Sequence, residues 1–160
     1  MTKQQLVTTI IARLEADLAL FTEAARHAHA AATHEECQPD NKYDTTALEA
    51  SYIAQGQANR AREIRQSLEA YRTLELQEFC DTSPIRLSAL ITLEDEAGEE
   101  RRLFLGPQAG GLRLTGSDGE VVVITPASPL GRQLLGLTVG DDVLSADSGK
   151  KTEYTIVAVA

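Results

Sequence analysis

The sequence predicts an α+β protein, in which an antiparallel coiled-coil helical hairpin precedes a small module of strands with one short helix. Three observations carry that expectation. In the first half Val7, Ile11, Leu14, Leu18, Phe21, Ala25, Ala28 and Ala32 alternate steps of four and three, the repeat of a helix seam packed on a partner helix. Further on, Ala47, Ala50, Ala54, Ala58, Ala61, Ile64, Leu68 and Tyr71 form a second seam that thickens as the first one thins. Beyond Asp81 the composition turns to Val, Ile, Thr, Gly and Pro in short alternating runs, the pattern of strands.

Two opposed tapers imply arms that run antiparallel, with alanines letting the helices approach closely at the far end. The expected product is a thin rod, wide at its base and narrow at its tip, a shape suited to entering a narrow passage. The first helix is predicted from Thr2 or Lys3 to about Thr33, and the second arm is helix-forming up to about Glu78. Gly56 interrupts the second arm at a cost of about 1 kcal/mol relative to alanine. Close helix approach, where a Cβ would clash, is the expected reason. The domain boundaries that follow are 1–79 for the hairpin, with its tip near 34–44, 80–86 for a linker containing Ser83-Pro84, and 87–160 for the module.

Within the module, 87–93 reads as a strand closed by the charged turn Glu94-Asp95-Glu96-Ala97-Gly98, and 101–106 reads as its hairpin partner. Gly110-Gly111 opens a strand at 112–115, and Asp118-Gly119 turns into another at 120–125. Ser128-Pro129 is an N-cap and first-turn pair and Gly136 a C-terminal stop, so the residues between form one short helix. Two further strands are expected at 139–143 and 153–159.

The net charge of −9 disfavours free binding to duplex nucleic acid through phosphate neutralisation, so any such role would run through a protein partner. No apolar run is long enough to span a membrane, and no signal-peptide core follows the first residues. Cys37 and Cys80 fall at the expected tip and base of an arm of about thirty residues, some 40 Å or more apart at about 1.5 Å of rise per residue. That separation excludes a disulfide between them and predicts reduced thiols and a cytoplasmic address. His27, His29 and His34 lie toward the tip, and with no matching ligands on the second arm they are expected to be solvated surface residues.

The stretch Ile124-Thr125-Pro126-Ala127-Ser128-Pro129-Leu130-Gly131-Arg132-Gln133-Leu134-Leu135-Gly136, followed by Val139-Gly140-Asp141-Asp142-Val143 and Glu153-Tyr154-Thr155-Ile156-Val157, resembles the C-terminal signature of the Gre transcript cleavage factors. Members of that family join an N-terminal coiled-coil hairpin to a C-terminal domain of FKBP-like fold, in this order and at about this length. The resemblance implies a monomeric accessory factor, not an enzyme in itself, whose C-terminal domain docks at the rim of the secondary channel of bacterial RNA polymerase. The hairpin would then enter the channel and meet the extruded RNA 3′ end indirectly, through the polymerase. No tightly bound cofactor is implied; tip carboxylates would help hold a Mg2+ ion shared with the polymerase active site. Hard oxygen donors suit that ion, and two-metal cleavage of a phosphodiester stabilises both the attacking and the leaving oxygen.

At the tip the sequence departs from the family. Cleavage-active members carry an Asp-Leu-Ser-Glu-Asn type stretch, where this chain has Cys37-Gln38-Pro39-Asp40-Asn41. Asp40 retains the second carboxylate, whereas the first falls on Cys37, and a thiol is a poor Mg2+ ligand. The resemblance therefore assigns Asp40 as principal ligand and Glu36 as second, with Asp44 or Glu35 in reserve. The same acidic residues also suit solvation and capping of a helix start. Ser128, Pro129 and Leu130 are the expected polymerase contacts, or else serve only to cap and pack the short helix.

Arg13, Arg26, Arg60, Arg62 and Arg65 suit both RNA or polymerase contact and solvated coiled-coil flanks. Tyr43 and Tyr52 are expected to pack across the alanine seam rather than to stack on a base. Two other functions stand beside transcript cleavage. One is a channel-binding regulator that inhibits polymerase without promoting cleavage. The other is a prolyl isomerase, disfavoured by the shortage of aromatic residues to line a proline pocket.

Overall fold

A computed structural model describes residues 1–33, 45–147 and 149–160. The order of elements is α1 (Lys3–Thr33), α2 (Thr46–Arg72), β1 (Leu90–Asp95), β2 (Glu100–Leu105), β3 (Arg113–Gly116), β4 (Gly119–Ile124), α3 (Pro129–Leu134), β5 (Asp142–Asp147) and β6 (Lys150–Val159). These residues group into two compact units, Ile11–Glu69 on one hand and Met1–Ile10 with Ala70–Ala160 on the other.

Local chemistry at the start of α1 is reciprocal. The Gln5 backbone N–H donates to Thr2 Oγ1 at 3.2 Å, while the Thr2 N–H donates to Gln5 Oε1 at 2.9 Å. This is a capping box, which satisfies two donors that the first turn leaves free. In the helical unit Leu14, Ala54, Ala61, Ile64 and Leu68 are buried, and Leu18, Phe21, Ala25, Ala28, Ala50 and Ala58 are half-buried. These positions follow the expected spacing, except that Ile11 is only half-buried while Leu6 and Ile10, outside the expected seam, are fully buried.

Three expectations for this region need correction. Gly56 has no atom of the described residues near enough to touch an added Cβ, so close helix approach is not its reason. Tyr52 is 69% exposed rather than packed across the seam. The second arm stops at Arg72, not near Glu78. There the chain is taken over by the module: the Gln77 N–H donates to the buried hydroxyl of Ser88 at 2.8 Å, and Lys3 Nζ donates to the Gln77 carbonyl.

The module is one six-stranded mixed sheet in the order β3-β4-β2-β1-β6-β5. Among the described residues only β2 and β4 run parallel, with β3 lying on the connection between them; the other pairings are antiparallel. Ile91, Leu93, Leu103, Leu105 and Ile156 form a buried cluster on which Leu134 of α3 packs. A second buried set outside that cluster includes Leu6, Ile10, Tyr71, Phe104 and Val123. Burial pushes the Tyr71 phenol well above its ordinary range, and its hydroxyl donates to the Gln108 carbonyl at 2.8 Å.

Strand edges differ from the sequence expectation where side chains build turns. β1 begins at Leu90 because Ser88, buried and at φ 73°, turns the chain beforehand, and β1 continues to Asp95. The Asp95 carboxylate accepts from the N–H groups of Ala97 and Glu99, both at 2.9 Å, which moves the turn beyond it. The strand expected at 139–143 starts only at Asp142. Asp141 Oδ2 accepts from the Thr138 N–H at 2.8 Å, and Gly140 has φ 96°, so those residues form a turn.

Candidate functional site

The residues expected at the tip, Glu35, Glu36, Cys37, Asp40 and Asp44, lie outside the described residues, as do His34 and Tyr43. His27 and His29 are exposed on α1. The arginines of the hairpin lie on exposed flanks: Arg60 meets Glu63 at 2.9 Å and sits 6.0 Å above the Phe21 ring, and Arg13 approaches Asp17 at 3.6 Å. Such exposed pairs contribute about 0.2–1 kcal/mol each.

The second expected site, Ser128-Pro129-Leu130, is well defined. Ser128 takes an extended backbone (φ −70°, ψ 153°) and caps α3, its Oγ accepting from the Gly131 N–H at 3.0 Å and donating to the Thr125 carbonyl at 2.7 Å. Pro129 occupies the first turn, where a missing N–H costs nothing. Gly131 is buried so tightly that a Cβ there would sit 1.9 Å from the Thr125 carbonyl oxygen. Downstream, Ile85 exchanges hydrogen bonds with the end of the helix segment, donating to the Leu137 carbonyl and accepting from the Gly136 N–H. The cap, the proline and the tight glycine thus hold the loop so that Pro129 is exposed while Leu130 packs against the core.

Around this loop lies an open depression of about 400 Å³, which Ser128, Pro129 and Leu130 share with Val122, Ile124 and Leu144. Arg101 of β2 and Arg113 of β3 also line it. At its other side the Gln133 side-chain amide bonds both backbone groups of Leu144 on the edge strand β5, donating to the carbonyl at 2.8 Å and accepting from the N–H at 3.1 Å. A helix side chain thus stands where the next strand would otherwise pair. Sequence reasoning found the loop but not the arginines or the bonding of Gln133 to Leu144, because these converge from β2, β3, α3 and β5. The available signal was alternation, which places Arg101 on the same face of β2 as Leu103 and Leu105.

In the segment of chain that connects α2 to β1, the Phe79 ring has Lys3 Nζ 4.6 Å from its centroid and the Arg86 guanidinium 4.9 Å from it. Burial lowers the Lys3 pKa, with Glu78 acting in the opposite direction and Arg86 reinforcing the fall. Cys80 is a free, exposed thiol. Hydrogen bonds with the hydroxyls of Ser83 and Thr82 bring its pKa down to about 7. Among the described residues no His, Cys, Asp and Glu side chains are grouped for a metal ion, and no helix is long and apolar enough to cross a membrane.

Residues 81–160 match the family model described as transcription elongation factor, GreA/GreB, C-terminal. Among solved structures the chain is similar to GreA factor homolog 1 (Gfh1) of Thermus thermophilus, at 22% identity over 94% of each chain and a TM-score of 0.39. It is similar to Thermus aquaticus Gfh1 at 25% identity over 92% of each chain, with a TM-score of 0.41. A GreA/GreB factor from Nitrosomonas europaea shares 22% identity over 60% of this chain and 78% of its own, with a TM-score of 0.38. Comparison with curated protein sequences gives no match.

Proposed function

Because this chain belongs to the GreA/GreB family of transcription elongation factors, we propose that it binds bacterial RNA polymerase in the cytoplasm, inserts its hairpin into the secondary channel and stimulates the polymerase's own cleavage of backtracked RNA. The observation that carries this reading is the family match over 81–160, which spans the Ser128-capped loop and its depression. In this reading Ser128, Pro129 and Leu130 contact the polymerase. The protein is an accessory rather than an enzyme, since the bond is broken in the polymerase active site.

At the tip, Asp40 and Glu36 supply oxygen donors of the kind Mg2+ requires, and Asp44 stands close in sequence as a further carboxylate. An ion held there would act beside a second Mg2+ of the polymerase, the pair stabilising the attacking and leaving oxygens of the phosphodiester. Cys37 does not fit that donor set. A second reading therefore rests on Cys37: a secondary-channel regulator that slows RNA synthesis without promoting cleavage.

A stalled, backtracked elongation complex supplied with Mg2+ separates the two. Under the cleavage reading the wild-type chain accelerates loss of the RNA 3′ segment, and Asp40→Ala lowers that rate by at least about tenfold, with a smaller loss for Glu36→Ala. Slowed extension with no added cleavage establishes the regulator. If neither rate changes, both readings fail.

A further inference from the structure

We propose that Gly56 and Gln57 form a built-in weak point of the helical hairpin, at which its outer part opens reversibly while its base stays packed. Separate observations meet at these adjacent residues. Glycine in a helix interior is disfavoured because it gives up the most backbone freedom. Gly56 gains nothing in return, since no described atom beyond its own stretch of helix backbone lies within 4 Å of where a Cβ would be. One position further, Gln57 falls within the steps of three and four that join Ala54, Ala61, Ile64, Leu68 and Tyr71, so a polar side chain occupies the seam. Its Oε1 is buried and has no hydrogen-bond partner among the described residues. A carbonyl oxygen that has left water without finding a donor penalises the packed state, and the penalty is relieved when the arms part.

Burial changes at the same place. On the base side of Gln57, Ala61, Ile64 and Leu68 are almost fully buried. On its outer side Ala54 is the one buried residue of α2 among those described, while Tyr52 and Ile53 are 69% and 57% exposed. On α1 no described residue beyond Leu14 is buried; Phe21, Ala24, Ala25 and Ala28 are half-buried. The outer part therefore has little apolar area to hold it, and the two local penalties fall where that support runs out.

Helix order is cooperative, so a break in the ladder at Gly56 and Gln57 releases the outer residues together rather than one by one. Under the proposed function, such an arm reshapes inside the passage it enters while the module stays docked. The weak point itself belongs to the free chain and does not depend on that reading.

Amide hydrogen exchange of the free, full-length chain, read residue by residue by NMR, tests this. The amides of residues 50–56 are expected to share one opening equilibrium and to be protected at least about tenfold less than those of 61–68, with the step at Gly56 and Gln57. Gly56→Ala should raise protection of the outer set about fivefold. Gln57→Leu, close in volume and free of the orphaned oxygen, should raise it by about fivefold or more. Neither substitution should change protection of 61–68 by more than about twofold. Fraying from the far end gives instead a smooth fall toward residue 50 with no step, and that profile overturns the proposal. Equal slowing on both sides of the pair also overturns it, because the hairpin would then open only as a whole. Thermal melting checks the fold of each variant, and if Gln57→Leu disturbs it, Gly56→Ala carries the comparison alone.

Discussion

Gly56 and Gly131 are both glycines inside helices, one in the hairpin arm α2 and the other in α3 of the module. Around Gly56 no described atom beyond its own stretch of helix backbone lies within 4 Å of where a Cβ would be, whereas a Cβ on Gly131 would fall 1.9 Å from a backbone oxygen. Gly106 behaves like Gly131, its Cβ position lying 2.1 Å from the Tyr71 hydroxyl. The contrast reflects how each region is built. In the hairpin each residue answers mainly to a seam of fixed period, and positions off the seam face open space. In the module, segments distant in sequence converge, and single positions are left with no volume for a side chain.

That contrast breaks if the substitutions do not follow it in sign and size. Gly131→Ala should have the largest effect, a loss of about 3 kcal/mol in urea unfolding, because the opposing atom is backbone and cannot swing aside. Leu130 and the cap should move with it, so under the proposed function polymerase binding should fall as well. A Gly131→Ala protein that keeps wild-type stability would show that α3 is not pinned against Thr125.

Gly106→Ala comes next, at about 2 kcal/mol, and a double-mutant cycle makes it specific. Tyr71→Phe alone removes the hydrogen bond to the Gln108 carbonyl and should cost about 1 kcal/mol. In the Gly106→Ala background the same change removes the clashing oxygen and should recover about 1 kcal/mol. Strict additivity of the two substitutions would argue against the contact. Gly56→Ala is the smallest and opposite in sign: an exposed helix interior gains about 1 kcal/mol when alanine replaces glycine. Destabilisation at Gly56 would return it to the close-approach explanation.

Legibility in the sequence followed the same division. The burial of Leu14, Ala54, Ala61, Ile64 and Leu68 was readable from spacing alone, since helical period maps directly onto one face. So was the Ser128 cap, whose partners lie three residues away on either side. The strand expected at 139–143 was misplaced because the Asp141 carboxylate captures the Thr138 N–H, a competition that a pattern of Val and Gly does not reveal. The overlong second arm failed for a related reason: nothing in the helix-forming residues 73–78 announces that Ser88 will take the Gln77 N–H.

For the candidate site, Ser128, Pro129 and Leu130 could be named from a contiguous motif that also holds Gln133, while Arg101, Arg113 and Leu144 lie outside it. What the sequence determined by itself was everything set by period and by neighbours within one turn: two helices with alanine seams, a run of short strands, a capped helix and an acidic excess. Tertiary structure alone decided which strands became neighbours, which glycines have no room, and that two arginines meet an apolar floor beside α3. Local patterns select conformations over a few residues, whereas those features depend on the three-dimensional meeting of β2, β3, α3 and β5, which no spacing along the chain encodes.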